Sequence, residues 1–178
     1  KYWANKISSL SIKTSQNKFD NWLNWVSLQP ILRRIYGNSY LPHHDYGRGG
    51  RGWRDLWQDI LSLLLIENKN VRSSLISNFG GVRIDGSNAT IIGKSNGDFI
   101  ADRNNIPRVW MDHGAWPIFT INFYIHQTGD FDILFEKQNY FADKFSHRSK
   151  KIIKDLIHSD NKLRNKSNEI HYGTIIEH

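Results

Sequence analysis

Between Asp45 and Asp59 the chain reads Asp-Tyr-Gly-Arg-Gly-Gly-Arg-Gly-Trp-Arg-Asp-Leu-Trp-Gln-Asp, which sets three arginines, three carboxylates and two tryptophans around four glycines. Few hydrophobic cores need that mixture. Glycine lets the backbone take unusual angles and approach a ligand closely. Arginine forks to oxyanions or hydroxyls, and tryptophan offers a flat apolar face with a polar edge. Sugars and sugar phosphates suit such a surface. The run lacks the terminal Lys-Ser/Thr of a phosphate-binding P-loop, and no strand is predicted before it.

Beyond the glycines, Leu56, Ile60, Leu63 and Leu64 recur at helical spacing and predict a helix from Trp53 to Glu67, with Trp57 and the late leucines inward. A core helix is predicted over Phe19–Tyr36 from Trp22, Trp25, Val26, Ile31, Leu32 and Ile35, kinked at Pro30 and ended by Gly37. Shorter helices are expected over Asn70–Phe79, Ile118–Gln127 with Gly129 as its stop, and Lys150–His158. Asp130 reads as the N-cap of a helix reaching about Tyr140, and Gly173–His178 as the first turns of another. From Gly80 to Pro117 the pattern fails, which predicts a long loop with short extended pieces. Two tryptophans and several isoleucines there argue for an ordered, functional loop. No internal repeat is detectable.

The chain has 178 residues, 39% of them hydrophobic, enough for one ordinary core. Its longest apolar run, Ile60–Ile66, is broken by Ser62 and too short to cross a bilayer. The absence of cysteine excludes disulfides and thiolate metal sites and fits a reducing compartment, so a cytoplasmic location is the expectation. A net charge of +7 and a pI near 9.6 raise the question of nucleic acid. Much of that excess, however, lies between Lys144 and Lys166, which reads as a solvated helix and polar loop. The arginines of the glycine-rich run sit among carboxylates and suit neutral polar ligands better than a phosphate backbone. His43, His44, Asp45 and the later Asp112–His113 pair lack metal-ligand spacing, so no metal is expected. The chain opens at Lys1 and its one methionine is Met111, which reads as part of a longer protein.

Four motifs together resemble the catalytic domain of glycoside hydrolase family 94: Trp25–Gly37, His44–Asp59, Arg83–Asn88, and Asp102–Asn105 through Trp110–His113. That family holds the inverting cellobiose, chitobiose and β-1,2-oligoglucan phosphorylases and the phosphorylase-like part of cyclic β-1,2-glucan synthases. The resemblance covers roughly Phe19 to Phe141, and the basic segment from Lys144 to Lys166 carries no signature. It implies an all-α fold, an (α/α)6 barrel whose loops form the sugar pocket at one end. Twelve helices of ordinary length with short connections need roughly 190 residues. Residues 1–178 are therefore expected to form one partial catalytic domain, truncated at both ends, exposing apolar helix faces and folding poorly alone.

The implied reaction is phosphorolysis. Inorganic phosphate, as co-substrate, attacks the anomeric carbon of a β-glucosyl unit while a carboxylic acid protonates the departing oxygen, giving α-glucose 1-phosphate. The family's Arg-Asp sugar motif falls on Arg54 and Asp55. A preceding arginine of the cellobiose enzymes corresponds to Arg48 or Arg51, with Arg48 favoured. Asp55 also has a plainer reading as charge compensation at a helix N-terminus. Asp112 and His113 match an Asp-His pair that contacts sugar or phosphate, or braces the loop. Trp110 is the expected sugar platform and Trp57 a core residue, whereas Asp102, Arg103 and Arg108 read equally as structural ion pairs. The general acid, in an Asp-Trp-Asn-Asp type motif, is expected beyond His178, so these residues alone should bind weakly and catalyse nothing. No cofactor, nucleic acid or membrane partner is expected; the partner is a β-linked gluco-oligosaccharide, with a slight lean toward the β-1,2-glucan branch. Two other classes stand beside this one: a glycosidase using Asp55 and Asp112, and a non-catalytic carbohydrate or nucleic-acid binding module.

Overall fold

A computed structural model describes residues 1–36, 51–92, 99–100, 111–143 and 158–178. Among them run five α-helices: α1 (Tyr2–Ile7), α2 (Asn17–Tyr36), α3 (Trp53–Ile66), α4 (Val71–Phe79) and α5 (Ala115–Thr128). The strands are only two or three residues long: β1 (Arg51–Gly52), β2 (Ile91–Ile92), β3 (Phe99–Ile100), β4 (Lys137–Asn139) and β5 (Tyr172–Thr174). The fold class is all-α, with strands serving to tie loops to helices. The antiparallel order β1-β2-β3 pairs Gly52 with Ile91 and Ile92 with Phe99, which pins the long loop to the start of α3. Extended pieces in that loop were the sequence expectation.

Helix α3 is the hub. Its spacing of apolar residues buries Trp53, Leu56, Trp57, Ile60, Leu63 and Leu64, and it packs on α2, α4 and α5. Trp57 is fully buried, as predicted. The ring of Trp53 meets Trp57 edge-on at 5.4 Å, and Trp57 meets Phe79 of α4 at 5.1 Å, so one aromatic row crosses two helices. Asp59 on the same buried face takes the guanidinium of Arg33 from α2 at 3.2 Å. That pairing explains how a carboxylate lies among leucines.

Helix α2 departs from expectation on one face. Its second half buries Ser27, Leu28 and Ile31, but Trp22 and Trp25, predicted inward, are 56% and 60% exposed. Helical spacing marks an apolar face without saying whether a partner covers it. Phe119 and Phe123 of α5 are also exposed. Helix α5 starts earlier than predicted, with Pro117 in its first turn, where a missing N–H breaks no helical bond. It ends as predicted: Gly129 takes φ 72° and its N–H bonds Ile125 O at 2.7 Å.

Two predicted helices are corrected. Asp130 caps no helix up to Tyr140; a short 3₁₀ turn over Phe131–Phe135 gives way to strand β4. The Asp130 carboxylate is instead drawn to the Tyr124 hydroxyl at 2.7 Å and to Arg72 Nε at 2.8 Å, and Arg72 also reaches Glu136, so α4, α5 and the turn are locked together. Burial, reinforced by Asp130, pushes the Tyr124 phenol up to about 12. Gly173 lies in strand β5 rather than opening a helix. The phenol end of Tyr140 occupies the space a side chain at 173 would need, and helical geometry begins only at Ile175, in a 3₁₀ turn to Glu177 with a Thr174–Glu177 capping box. Residues 150–157 of the predicted Lys150–His158 helix lie outside the described residues.

Gly81 shows where space rather than backbone freedom demands glycine. A methyl there would fall 2.5 Å from Trp53 Cζ3 and 2.6 Å from Phe99 Cδ1, whereas one at Gly114 would meet nothing within 4 Å. Gly81→Ala is expected to destabilise the protein by about 1–3 kcal/mol through overpacking, and Gly114→Ala to leave stability unchanged or raise it by up to about 1 kcal/mol. Urea unfolding of the two variants side by side checks the contrast.

Candidate functional site

The site lies where the first turn of α3 meets residues 111–114, the turn that leads into α5. Gly52 enters α3 from extended backbone with φ −69° and ψ 149°, supplying no side-chain cap. Asp55 is the third helical residue and places a negative charge in the first turn, where the unpaired N–H groups favour it. A Cβ on Gly52 would lie 2.5 Å from Asp55 Oδ2, so the carboxylate turns back over the glycine. The plainer reading of Asp55 as charge compensation therefore holds geometrically, and the carboxylate remains only partly buried.

Trp53 fixes the other half of the site. Its indole Nε1 donates to the backbone carbonyl of His113 at 3.0 Å, across 60 residues of chain. With that bond made, Arg54 reaches Asp112 Oδ2 at 3.2 Å, and Trp116 Nε1 donates to the same oxygen at 3.1 Å. The Arg54 and Asp112 side chains are 44% and 42% exposed, so the pair adds little to stability. What it provides is orientation: a guanidinium with spare donors beside a carboxylate with accepting capacity. The Trp116 bond, aided by Arg54, holds the Asp112 carboxyl below its ordinary range against a smaller opposing effect of desolvation.

His113 sits behind this pair and is buried. Its Nδ1 faces the amide nitrogen of Asn88 at 3.2 Å. Burial pushes its pKa down, the nearby Arg54 charge acts the same way, and Asp112 opposes both. His113 and Asn88 form the polar edge of a cavity of about 390 Å³ that is otherwise lined mainly by apolar side chains, among them Trp53, Pro117, Ile121 and Ile175.

Of the residues singled out in the sequence, Arg54, Asp55, Asp112 and His113 converge here. Arg48 and Trp110 lie outside the described residues, as do Asp102, Arg103, Arg108, His43, His44 and Asp45; of Arg51 only the backbone, in β1, is described. Asn88 and the anchoring role of Trp53 were missed. The Asp85-Gly86 turn signal marked the hairpin that carries Asn88 but gave no hint of its distant partner. Among the described residues, no group of three or more His, Asp or Glu side chains is placed to hold a metal ion.

The family model for the Glycosyl hydrolase 94 superfamily, catalytic domain, matches residues 2–167. The chain belongs to this family. The match runs past Phe19–Phe141 at both ends and takes in the basic segment that carried no recognisable signature. Glycosyl hydrolase 94 catalytic domains are of the (α/α)6-barrel type, with which the mainly helical chain agrees, and the chain is that of a carbohydrate-active enzyme. A search among curated proteins finds no match. Among the described residues no helix is long and apolar enough to cross a membrane.

The depressed pKa of His113 gives a pH dependence of stability. The folded state binds this proton less readily than the unfolded chain, whose imidazole titrates near 6.5. The His113 contribution is thus fully present above that value and is lost as pH falls through the folded pKa. The urea midpoint is expected to drop on acidification below about 6.5, and His113→Gln is expected to flatten that part of the profile.

Proposed function

We propose that these residues belong to an inverting glycoside phosphorylase that transfers a β-glucosyl unit to inorganic phosphate, releasing α-glucose 1-phosphate. The observation that carries this reading is the half-exposed Arg54–Asp112 pair beside Asp55 at the start of α3, in a chain of the glycosyl hydrolase 94 family. A guanidinium and two carboxylates at one helix end suit the adjacent hydroxyls of a pyranose: the carboxylates accept, the arginine donates, and an epimer would leave a partner unmatched. Arg54 is the arginine of that set, with guanidinium donors beyond the one that meets Asp112.

The electrostatics of Asp112 bear on the alternatives. A general acid must carry a proton at working pH, and the Trp116 bond and Arg54 favour the ionised form of Asp112. Asp112 is disfavoured as the acid of a glycosidase on that ground, and is better suited to accept from sugar hydroxyls. Phosphate is already a nucleophile, so one protonated carboxyl elsewhere, expected C-terminal to His178, suffices. The substrate is a β-linked gluco-oligosaccharide.

Incubating the whole protein that carries these residues with cellobiose or β-1,2-oligoglucans, with and without inorganic phosphate, tests the reading. Glucose 1-phosphate is expected only with phosphate, and Asp55→Ala and Arg54→Ala are each expected to lower kcat/KM by about 10²-fold or more. Free glucose released without phosphate would overturn phosphorolysis in favour of hydrolysis.

A further inference from the structure

We propose that the hairpin turn Arg83–Asn88 is a positioning device for His113: Asp143 holds Arg83, Arg83 holds the backbone of Asn88, and the Asn88 amide fixes the imidazole as its Nε2–H tautomer. The proposal rests on the phosphorylase reading only in taking His113 as part of the substrate site.

Each link is short and directional. Arg83 is buried, and its Nε and one terminal nitrogen donate to the two Asp143 oxygens at 3.1 and 2.9 Å. The other terminal nitrogen donates to Asn88 O at 2.6 Å and to Ser87 Oγ at 3.3 Å, and the ring of Phe141 lies 5.0 Å under the guanidinium. The turn itself is tight. Arg83 N–H bonds Ser87 O at 2.7 Å, Gly86 takes φ 78°, and Asp85 accepts from both the N–H and the hydroxyl of Ser87. Val82 and Asn88 then face each other across an antiparallel bridge. A buried, forked ion pair spent on one short turn needs a reason, and the reason lies at its end.

The Asn88 amide nitrogen has two protons. One goes to Ala89 O at 2.6 Å, which fixes the amide orientation because a carbonyl cannot receive from the amide oxygen. The other points to His113 Nδ1 at 3.2 Å, so Nδ1 must accept and the ring proton stays on Nε2. Adding a proton at Nδ1 would set donor against donor. The charged groups around the ring are Asp112 beside it in the chain and Arg54 from α3, with His178 of the C-terminal turn lining the same cavity and the Arg83–Asp143 pair behind Asn88. Burial and Arg54 disfavour the imidazolium and Asp112 favours it; the amide decides where the single remaining proton sits. The device thus holds the ring in its neutral Nε2–H form, the form that can donate to a sugar hydroxyl or a phosphate oxygen, and disfavours a proton on Nδ1.

Nitrogen-15 spectra of the imidazole ring across about pH 5 to 8 test this without reference to turnover. The unmodified protein is expected to show His113 as a single Nε2–H tautomer. Asn88→Asp, nearly the same size, is expected to raise the His113 midpoint by about one pH unit or more, and Asp143→Asn to give a mixture of tautomers. An Nδ1–H tautomer in the unmodified protein would overturn the proposal even if neither variant folds, and so would unchanged ring spectra in both folded variants. If the ring behaves as expected while no glucose 1-phosphate is formed, the positioning of His113 stands and the phosphorylase reading falls.

Discussion

The indole N–H of Trp53 is the bond on which the site depends. It joins the first residue of α3 to the carbonyl of His113, in a setting where the donor is buried and has no water to turn to. Because Trp53 also stands in the aromatic row with Trp57 and Phe79, and faces Phe99 from β3, the same side chain belongs to the core and to the loop anchor. Strand β1 and the turn 111–114 that leads into α5 therefore meet at the start of α3. The Arg54–Asp112 pair follows from this arrangement rather than causing it, since an ion pair so open to solvent has little energy with which to hold a loop.

A division of labour follows. Buried polar contacts do the holding: Trp53 to His113 and Arg83 to Asp143. Partly exposed ones, at Arg54, Asp55 and Asp112, are left able to exchange partners. That separation is what a binding site requires, because a group already committed to a strong internal bond has less to offer a ligand. Membership in the glycosyl hydrolase 94 family gives the arrangement its context, within a catalytic domain of the (α/α)6-barrel type.

Much of this was legible from residue order, for identifiable reasons. Leucine spacing located α3 and its inward face, Gly129 ended α5, and the Arg54-Asp55 and Asp112-His113 pairs were picked out by residue type within a recognisable family pattern. The errors share a cause. Trp22 and Trp25 have helical spacing but no covering partner, Asp130 has the chemistry of a cap but a stronger offer from Arg72 and Tyr124, and Gly173 yields its space to Tyr140. Each turned on tertiary packing, to which a local pattern is blind. The Asn88–His113 contact, 25 residues apart, was hidden for the same reason.

Gly52 carries one more implication. Its backbone angles are open to any residue, yet the carboxylate of Asp55 occupies the place where its side chain would begin. Since that carboxylate can swing away at little cost, a larger residue at 52 would leave the helix standing and re-aim the acid. A position with no side chain thereby acts as a sight for its neighbour, and changes at 52 offer a way to redirect Asp55 without replacing any polar residue of the site.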